Sequence, residues 1–483
     1  MALLAGTAFV LDQGYAERVA GGLLPSLKFV PQGDQKLVTT IYETVDWRLW
    51  QAGWALLSED GRLSLRSLSG HKPPLSLREP PAGLFAAASL APSVLRRRLE
   101  GEIGDRGLLP IARIEIAAER YAHRNAAGKI DCRADLIQAS VDGVKPIPAL
   151  LVPQPLRGYE REAEPLLDAM ARELAQAPAP AERLRIWLNA AGRRPDDSSP
   201  PGGKLKPGMP AGQGVAVCLR RALATIEDRA PLTIADLDKE DLHQFRVAVR
   251  QGRGLLKALG DVLPPKVESR GKKGLRWLGR LSTPVRDLDV LLAGEGRQFS
   301  QELQETLRAR RAADHAALVE ALQSDRYARF CAEWRKGLKR VSDGEPTLQE
   351  AADRALMQAA TRFVGGAQAL TEASVPEELH ELRKHGKQLR YLLDFFRDLY
   401  PKKLVKGRIR ELKIAQDALG EYQDLTAHQE LLEQFEDAQA LLASLAAQER
   451  AKRADAMTAL GEFRLPDALD AYKRLTGIDE PAV

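Results

Sequence analysis

Two periodicities divide the chain. Up to about residue 155, apolar positions come in short runs broken by Gly, Pro and Asp: TAFVL (7–11), KLVTTIYET (36–44), GWALL (53–57), RLSLRSL (62–68), IARIEIA (111–117) and KIDCRADLIQA (129–139). The alternation in RLSLRSL and IARIEI places apolar side chains on one face of a pleated strand, and SEDG at 58–61 reads as a turn. These runs predict several antiparallel strands with a few helices, an α+β sheet or a closed β-barrel. Over 159–191 the spacing becomes helical in EREAEPLLDAMARELAQ and AERLRIWLNAAG. The stretch 193–214, RRPDDSSPPGGKLKPGMPAGQG, is too rich in Pro, Gly and Ser to bury apolar surface and predicts a linker. Beyond it helical periodicity is unbroken. The predicted organisation is an α+β domain over 1–192, a linker over 193–214 and an all-α domain over 215–483.

Within the helical region the polar positions repeat. HQFRVAVRQGRGLLK (243–257) and HELRKHGKQLRYLLD (380–394) stand 137 residues apart, and each carries a histidine followed by cations three, seven and ten positions later. The two sets are His243, Arg246, Arg250 and Arg253, and His380, Arg383, Lys387 and Arg390. At 100° per residue each set falls within about 80° of arc, so it forms one stripe on a helix. Phe245, Val249, Leu256 and Leu259 flank the first stripe, which places it beside the core face rather than opposite it. A second stripe, Lys266, Arg270, Lys273, Arg276 and Arg280, lies on the next helix and spans about 120°. Its counterpart keeps Lys403, Arg410 and Lys413, with Gly407 and Asp417 interrupting it. Asp287 and Asp424 follow the same offset, predicting a duplication with repeats over about 215–345 and 350–483, each of about four antiparallel helices. Like charges three or four residues apart cost a helix about 0.2–0.5 kcal/mol per pair. Four such helices facing one groove therefore call for a polyanion. Asp287 and Asp424 are expected to pair with a cross-helix arginine or cap a helix, and the two histidines either to hydrogen-bond within the bundle or to contact the ligand.

Charge in bulk adds little. The formal net charge is +5 in 483 residues, and residues 1–210 hold 27 of the 71 basic and 24 of the 66 acidic side chains. Any anion site must come from placement. Aromatics make up 5% of the chain, and few adjoin the stripes, which argues against the aromatic stacking platforms that single-stranded nucleic acids use. Cys132, Cys218 and Cys331 are too far apart for a disulfide framework or a metal motif and fit a reducing compartment. The opening MALLAGTAFVL lacks a basic leader and is too short to span a bilayer, so a cytoplasmic location without membrane attachment is expected.

Two resemblances follow from these residues. The stretch 42–66, YETVDWRLWQAGWALLSEDGRLSLR, resembles the CYTH family of triphosphate-tunnel barrels through Tyr42, Thr44, Asp46, Leu49, Gly53 and Leu56. Glu43 stands where that family has Asp, Leu57 and Glu59 where it has arginines, and Arg66 where it has lysine. The resemblance covers roughly residues 1–190. It implies a metal site built on a Glu-x-Glu-x-Lys first strand, because clustered carboxylates hold the divalent ion that a triphosphate requires. The corresponding TAFVLD has no glutamate, and LVPQPL (151–156) puts Pro153 and Pro155 where paired acids are expected. The expectation is a degenerate barrel with no catalytic residue, metal or cofactor; a metal-dependent triphosphatase is the alternative.

The second resemblance is carried by HxxRxxxRxxR with RDLDVLL (286–292), and by HxLRKxxKxLRY with LGEYQDL (419–425). These resemble the CHAD domain, the conserved-histidine α-helical domain, from about 211 to 475. The resemblance implies two four-helix bundles related by a pseudo-twofold, a basic central pore, binding of inorganic polyphosphate and association with polyphosphate granules. The residues carried over are the stripes named above together with Lys384. In STPVRD (282–287) Pro284 departs from the family wording and predicts an early helix end. Nucleic acid is the rival ligand class.

Overall fold

The structure, a computed structural model, describes residues 7–11, 14–69, 73–78, 81–141, 145–195, 204–294, 299–341, 344–432 and 439–478. The chain divides into two compact units, Met1–Ser198 and Ser199–Val483.

The first unit runs β1 (Phe9–Leu11), α1 (Tyr15–Arg18), α2 (Leu24–Ser26), β2 (Val30–Glu43), α3 (Arg48–Gln51), β3 (Trp54–Glu59), β4 (Arg62–Ser67), β5 (Leu75–Arg78), β6 (Phe85–Ala86) and α4 (Val94–Ile103). It continues with β7 (Gly107–Arg124), β8 (Ile130–Val141), β9 (Lys145–Pro155), α5 (Glu160–Glu173), β10 (Ala175–Gln176) and α6 (Pro180–Ala190). The strands form one antiparallel sheet in the order β10-β1-β9-β8-β7-β2-β3-β4-β5, with β6 paired to β7 at its start. The β3–β4 hairpin closes on Asp60 and Gly61, both at positive φ (46° and 69°), with Glu59 opposite Arg62. That two-residue turn matches the right-handed strand twist, and glycine takes its second position at no steric cost. Alternation in β4 sends Leu63 and Leu65 into a buried cluster with Leu95, Leu99 and Ile103 of α4. It sends Arg62, Ser64 and Arg66 to the other face, which bounds a trough of about 700 Å³. Seven consecutive strands of the sheet, β5 through β9, contribute to that trough, so the sheet curls around it. Trp187 and Leu188 of α6 and Met170 of α5 cover two further apolar clusters.

The second unit is helical: α7 (Ala211–Ala235), α8 (Lys239–Leu259), α9 (Pro265–Ala293), α10 (Gln301–Gln323), α11 (Asp325–Lys339), α12 (Leu348–Ala369), α13 (Pro376–Phe396), α14 (Lys402–Leu432), α15 (Gln439–Ala459) and α16 (Asp470–Thr476). The 137-residue offset reaches the backbone. It relates the starts of α7 and α12, of α8 and α13, and of α9 and α14. Even the 3-10 turns Gly260–Val262 and Arg397–Leu399 correspond. Equivalent helices touch each other, α7 against α12 and α8 against α13, as a twofold relation requires. One continuous apolar core, from Val215 through Phe245 and Leu389 to Tyr472, serves both repeats.

Two sequence expectations change. Of the stretch 193–214, residues 196–203 lie outside the described residues, whereas 204–210 pack on the helical unit. Leu205 is buried in the shared core, Pro210 forms a bridge with Thr347, and the Leu348 amide donates to the Met209 carbonyl. These contacts satisfy backbone groups that a linker would leave to water. Pro284, expected to end a helix, lies inside α9, which continues to Ala293. Val285 and Leu288 beyond it are buried, and the Ser282 and Thr283 hydroxyls donate to the Leu278 and Gly279 carbonyls. Burial of that last stretch outweighs the one backbone hydrogen bond that proline removes.

Candidate functional site

The α8 and α13 stripes become the shared wall where the two repeats meet. α8 starts on Asp238, whose carboxylate accepts from the Glu240 amide, and it buries Leu242, Phe245, Val249 and Leu256. His243, Arg246 and Arg250 lie half-buried at the border of that face, as do His380, Arg383, Lys387 and Arg390 of α13; Arg253 is exposed.

Each repeat holds its first arginine in the same way. Arg246 stands 3.9 Å from Asp287 and Arg383 stands 3.7 Å from Asp424, with both arginine side chains 19% exposed. Arg246 also donates to the Thr283 hydroxyl at 2.7 Å, and His380 Nδ1 lies 2.6 Å from the Gln423 side-chain oxygen. The expected cross-helix pairing of the two aspartates is what the structure contains. Arg250 and Arg390 both approach the ring of Tyr391, 5.8 and 5.4 Å from its centroid, so α8 and α13 bring cations from opposite repeats to one buried ring. Gly279 of α9 and Gly420 of α14 lie against the guanidinium groups of Arg253 and Arg383, where a Cβ would come within 3.1 and 3.3 Å.

The electrostatics of this wall are strained. Burial, reinforced by Arg383 and Arg250, lowers Lys387 to about 7, with Asp424 opposing the shift. Burial lowers Arg246 to about 10. Arg383 is lowered by burial with Arg250 adding to it, and Arg253, exposed overall, by the partial burial of its guanidinium together with Arg276 and Arg280. His243 is lowered by burial and by Arg286. The Nε atoms of Arg250, Arg383 and Arg390 are buried and have no hydrogen-bond partner among the described residues. Donors of this kind, inside a cluster where cations outnumber the two aspartates, are what an anion with several oxygens satisfies.

Not every stripe residue meets here. Arg276 and Arg280 reach Arg253, but Lys266, Arg270 and Lys273 line a separate cleft between α9 and α11. Lys403, Arg410 and Lys413 are exposed on α14, and Lys384 is exposed and paired with Glu381 at 2.6 Å. Arg286, Thr283, Gln423 and Tyr391 also belong to the site, although the basic stripes alone do not single them out. Arg286 and Gln423 occupy equivalent positions beside the two aspartates, so the duplication itself could have pointed to them.

The first unit's trough carries Arg62, Arg66 and Arg78, while Arg120 is held bidentately by Asp135 at 2.8 and 3.1 Å. No group of three or more His, Cys, Asp or Glu is placed to hold a metal ion among the described residues. None of the helices, among the described residues, is long and apolar enough to cross a membrane.

The family model of the CHAD domain matches residues 217–433. This segment is a CHAD domain. Two solved structures resemble the chain: the CHAD domain from the plant Ricinus communis, at 24% identity and TM-score 0.44, covers 59% of this chain and 97% of its own. PptA from Streptomyces chartreusis, at 16% identity and TM-score 0.40, covers 55% of this chain and 100% of its own. No curated protein matches the chain. The CHAD match takes in α8, α9, α13 and α14, the four helices that carry the basic stripes.

Proposed function

We propose that the CHAD domain binds inorganic polyphosphate along the wall formed by α8 and α13, without chemistry on the chain. The observation that carries this reading is the set of buried Nε atoms of Arg250, Arg383 and Arg390 that have no hydrogen-bond partner among the described residues, beside Lys387. Polyphosphate is a flexible chain with about one charge per unit and no base or sugar, so it needs a run of cations drawn from both repeats and no exposed stacking surface. Tyr391, the aromatic at the centre, is buried beneath Arg250 and Arg390 and offers no platform to a base. That feature favours polyphosphate over single-stranded nucleic acid. The same reading expects a cytoplasmic protein associated with polyphosphate granules.

Replacing Arg246, Arg250, Arg383 and Lys387 together by alanine tests it. Hydrogen bonds to charged groups are worth about 1.5–3 kcal/mol each, so affinity for long-chain polyphosphate should fall about 100-fold or more. Helical circular dichroism should be retained. Wild-type affinity should decline with salt, each phosphate contact adding about 0.7 to the log–log slope by analogy with single strands. Unchanged affinity in the fourfold variant, or displacement by single-stranded RNA at equal phosphate concentration, would overturn the proposal.

A further inference from the structure

The cleft between α9 and α11 has a different chemistry from the central wall. It is an open cleft of about 620 Å³, in the range of small-molecule sites. Lys266, Arg270 and Lys273 enter it from α9, and Arg326 and Arg329 from α11. Its wall is aromatic: Trp277 is half-buried, with the Arg326 guanidinium 4.1 Å from its ring centroid, and the buried Phe330 lines the same cleft. One carboxylate, Glu333, sits among the cations and pairs with Arg270 at 2.7 Å.

The cleft is not a by-product of the duplication. At the 137-residue offset Trp277 becomes Ile414, which is 57% exposed, and Arg270 becomes Gly407. Arg326 becomes Phe463, a core residue. The second repeat keeps the central arginine–aspartate pairs but has none of this cleft's lining at those three positions.

We infer that this cleft is a second ligand site and that it takes a nucleoside triphosphate. A guanidinium lying on an indole forms a flat cationic platform on which a purine stacks, as bases stack on arginine planes and aromatic rings elsewhere. Lys266, Lys273 and Arg329 supply charge for the phosphates. Glu333 accepts from a ribose hydroxyl or an exocyclic amine, a role that a bare phosphate chain would leave empty.

Calorimetric titration of the full chain bearing the four central alanine substitutions isolates the cleft. ATP should bind, inorganic tripolyphosphate should bind more weakly, and adenosine should not bind measurably. Adding Trp277→Leu should weaken ATP about tenfold or more while leaving tripolyphosphate unchanged, since stacking on an aromatic contributes at that level. Trp277→Phe should restore ATP binding, which separates loss of stacking from loss of fold. Lys266→Ala with Lys273→Ala should weaken both anions. Equal affinity for ATP and tripolyphosphate, insensitive to Trp277→Leu, would show a general anion site and overturn the inference, as would the absence of ATP binding. If ATP binds the wild type but not the chain with the central alanines, the nucleotide belongs to the central wall and the cleft assignment is wrong.

Discussion

Lys387 occupies the position that Arg250 holds in the first repeat, and the exchange matters because lysine can lose its proton where arginine does not. Its ammonium is held down to about 7 from an ordinary 10.5 by burial and by neighbouring guanidinium groups. A depressed cation destabilises the fold wherever the unfolded lysine is charged, and the cost is fully present below the folded-state pKa, where both states carry the proton. Stability of the free protein should therefore rise as pH climbs from about 7 towards 10.5, and level off below 7. A bound polyanion favours the charged form, so binding takes up a proton in that window and affinity falls as pH rises through it. Calorimetry at pH 8 in two buffers of different ionisation enthalpy should reveal the uptake. Lys387→Arg should abolish it and hold affinity level across that range; a wild type with no buffer dependence would exclude this role for Lys387.

Helices were legible where burial is one-sided. The starts of α8 and α13, and of α9 and α14, follow from one offset read in the sequence, because apolar and basic positions repeat together. Strands were legible only where they alternate. β2 begins at Val30, six residues before the alternating run, and its exposed Pro31, Gln32 and Asp34 carry no apolar signal; pairing with β7 extends it there. The split of the α9 stripe could not be read at all. A 120° arc of cations is wide enough to face two neighbours, and only packing decides that Arg276 turns to α8 while Lys273 turns to α11. That packing rests on a missing side chain. At Gly274 a Cβ would stand 2.0 Å from Phe330, so α9 and α11 approach as closely as they do because the position is bare. Gly274→Ala should destabilise the helical unit by about 1–3 kcal/mol through overpacking, against a helix-propensity gain of about 1. Urea unfolding measures the balance, and an unchanged midpoint would show that Phe330 can move aside.

At the scale of the whole chain, each unit carries an apolar core of its own, and the two differ in their chemistry. We infer that the β-sheet unit does not hydrolyse phosphates. β1 presents Phe9, Val10 and Leu11, and β9 carries Pro153 and Pro155, so neither strand brings paired carboxylates to the trough. Incubating the full chain with tripolyphosphate and magnesium or manganese should release no phosphate above background; turnover that a chelator abolishes would reverse this inference. The helical unit, by contrast, is one body made of two copies, and its first described residues join them. Pro210 bridges Thr347, the Ala211 amide donates to the Pro346 carbonyl, and the Leu348 amide donates to the Met209 carbonyl, so the leading ends of α7 and α12 are clasped together. In mechanical terms the unit is gripped at its midline. Tension entering along the chain at residue 204 is passed to both halves at one seam, and neither half can be drawn out without loosening the other.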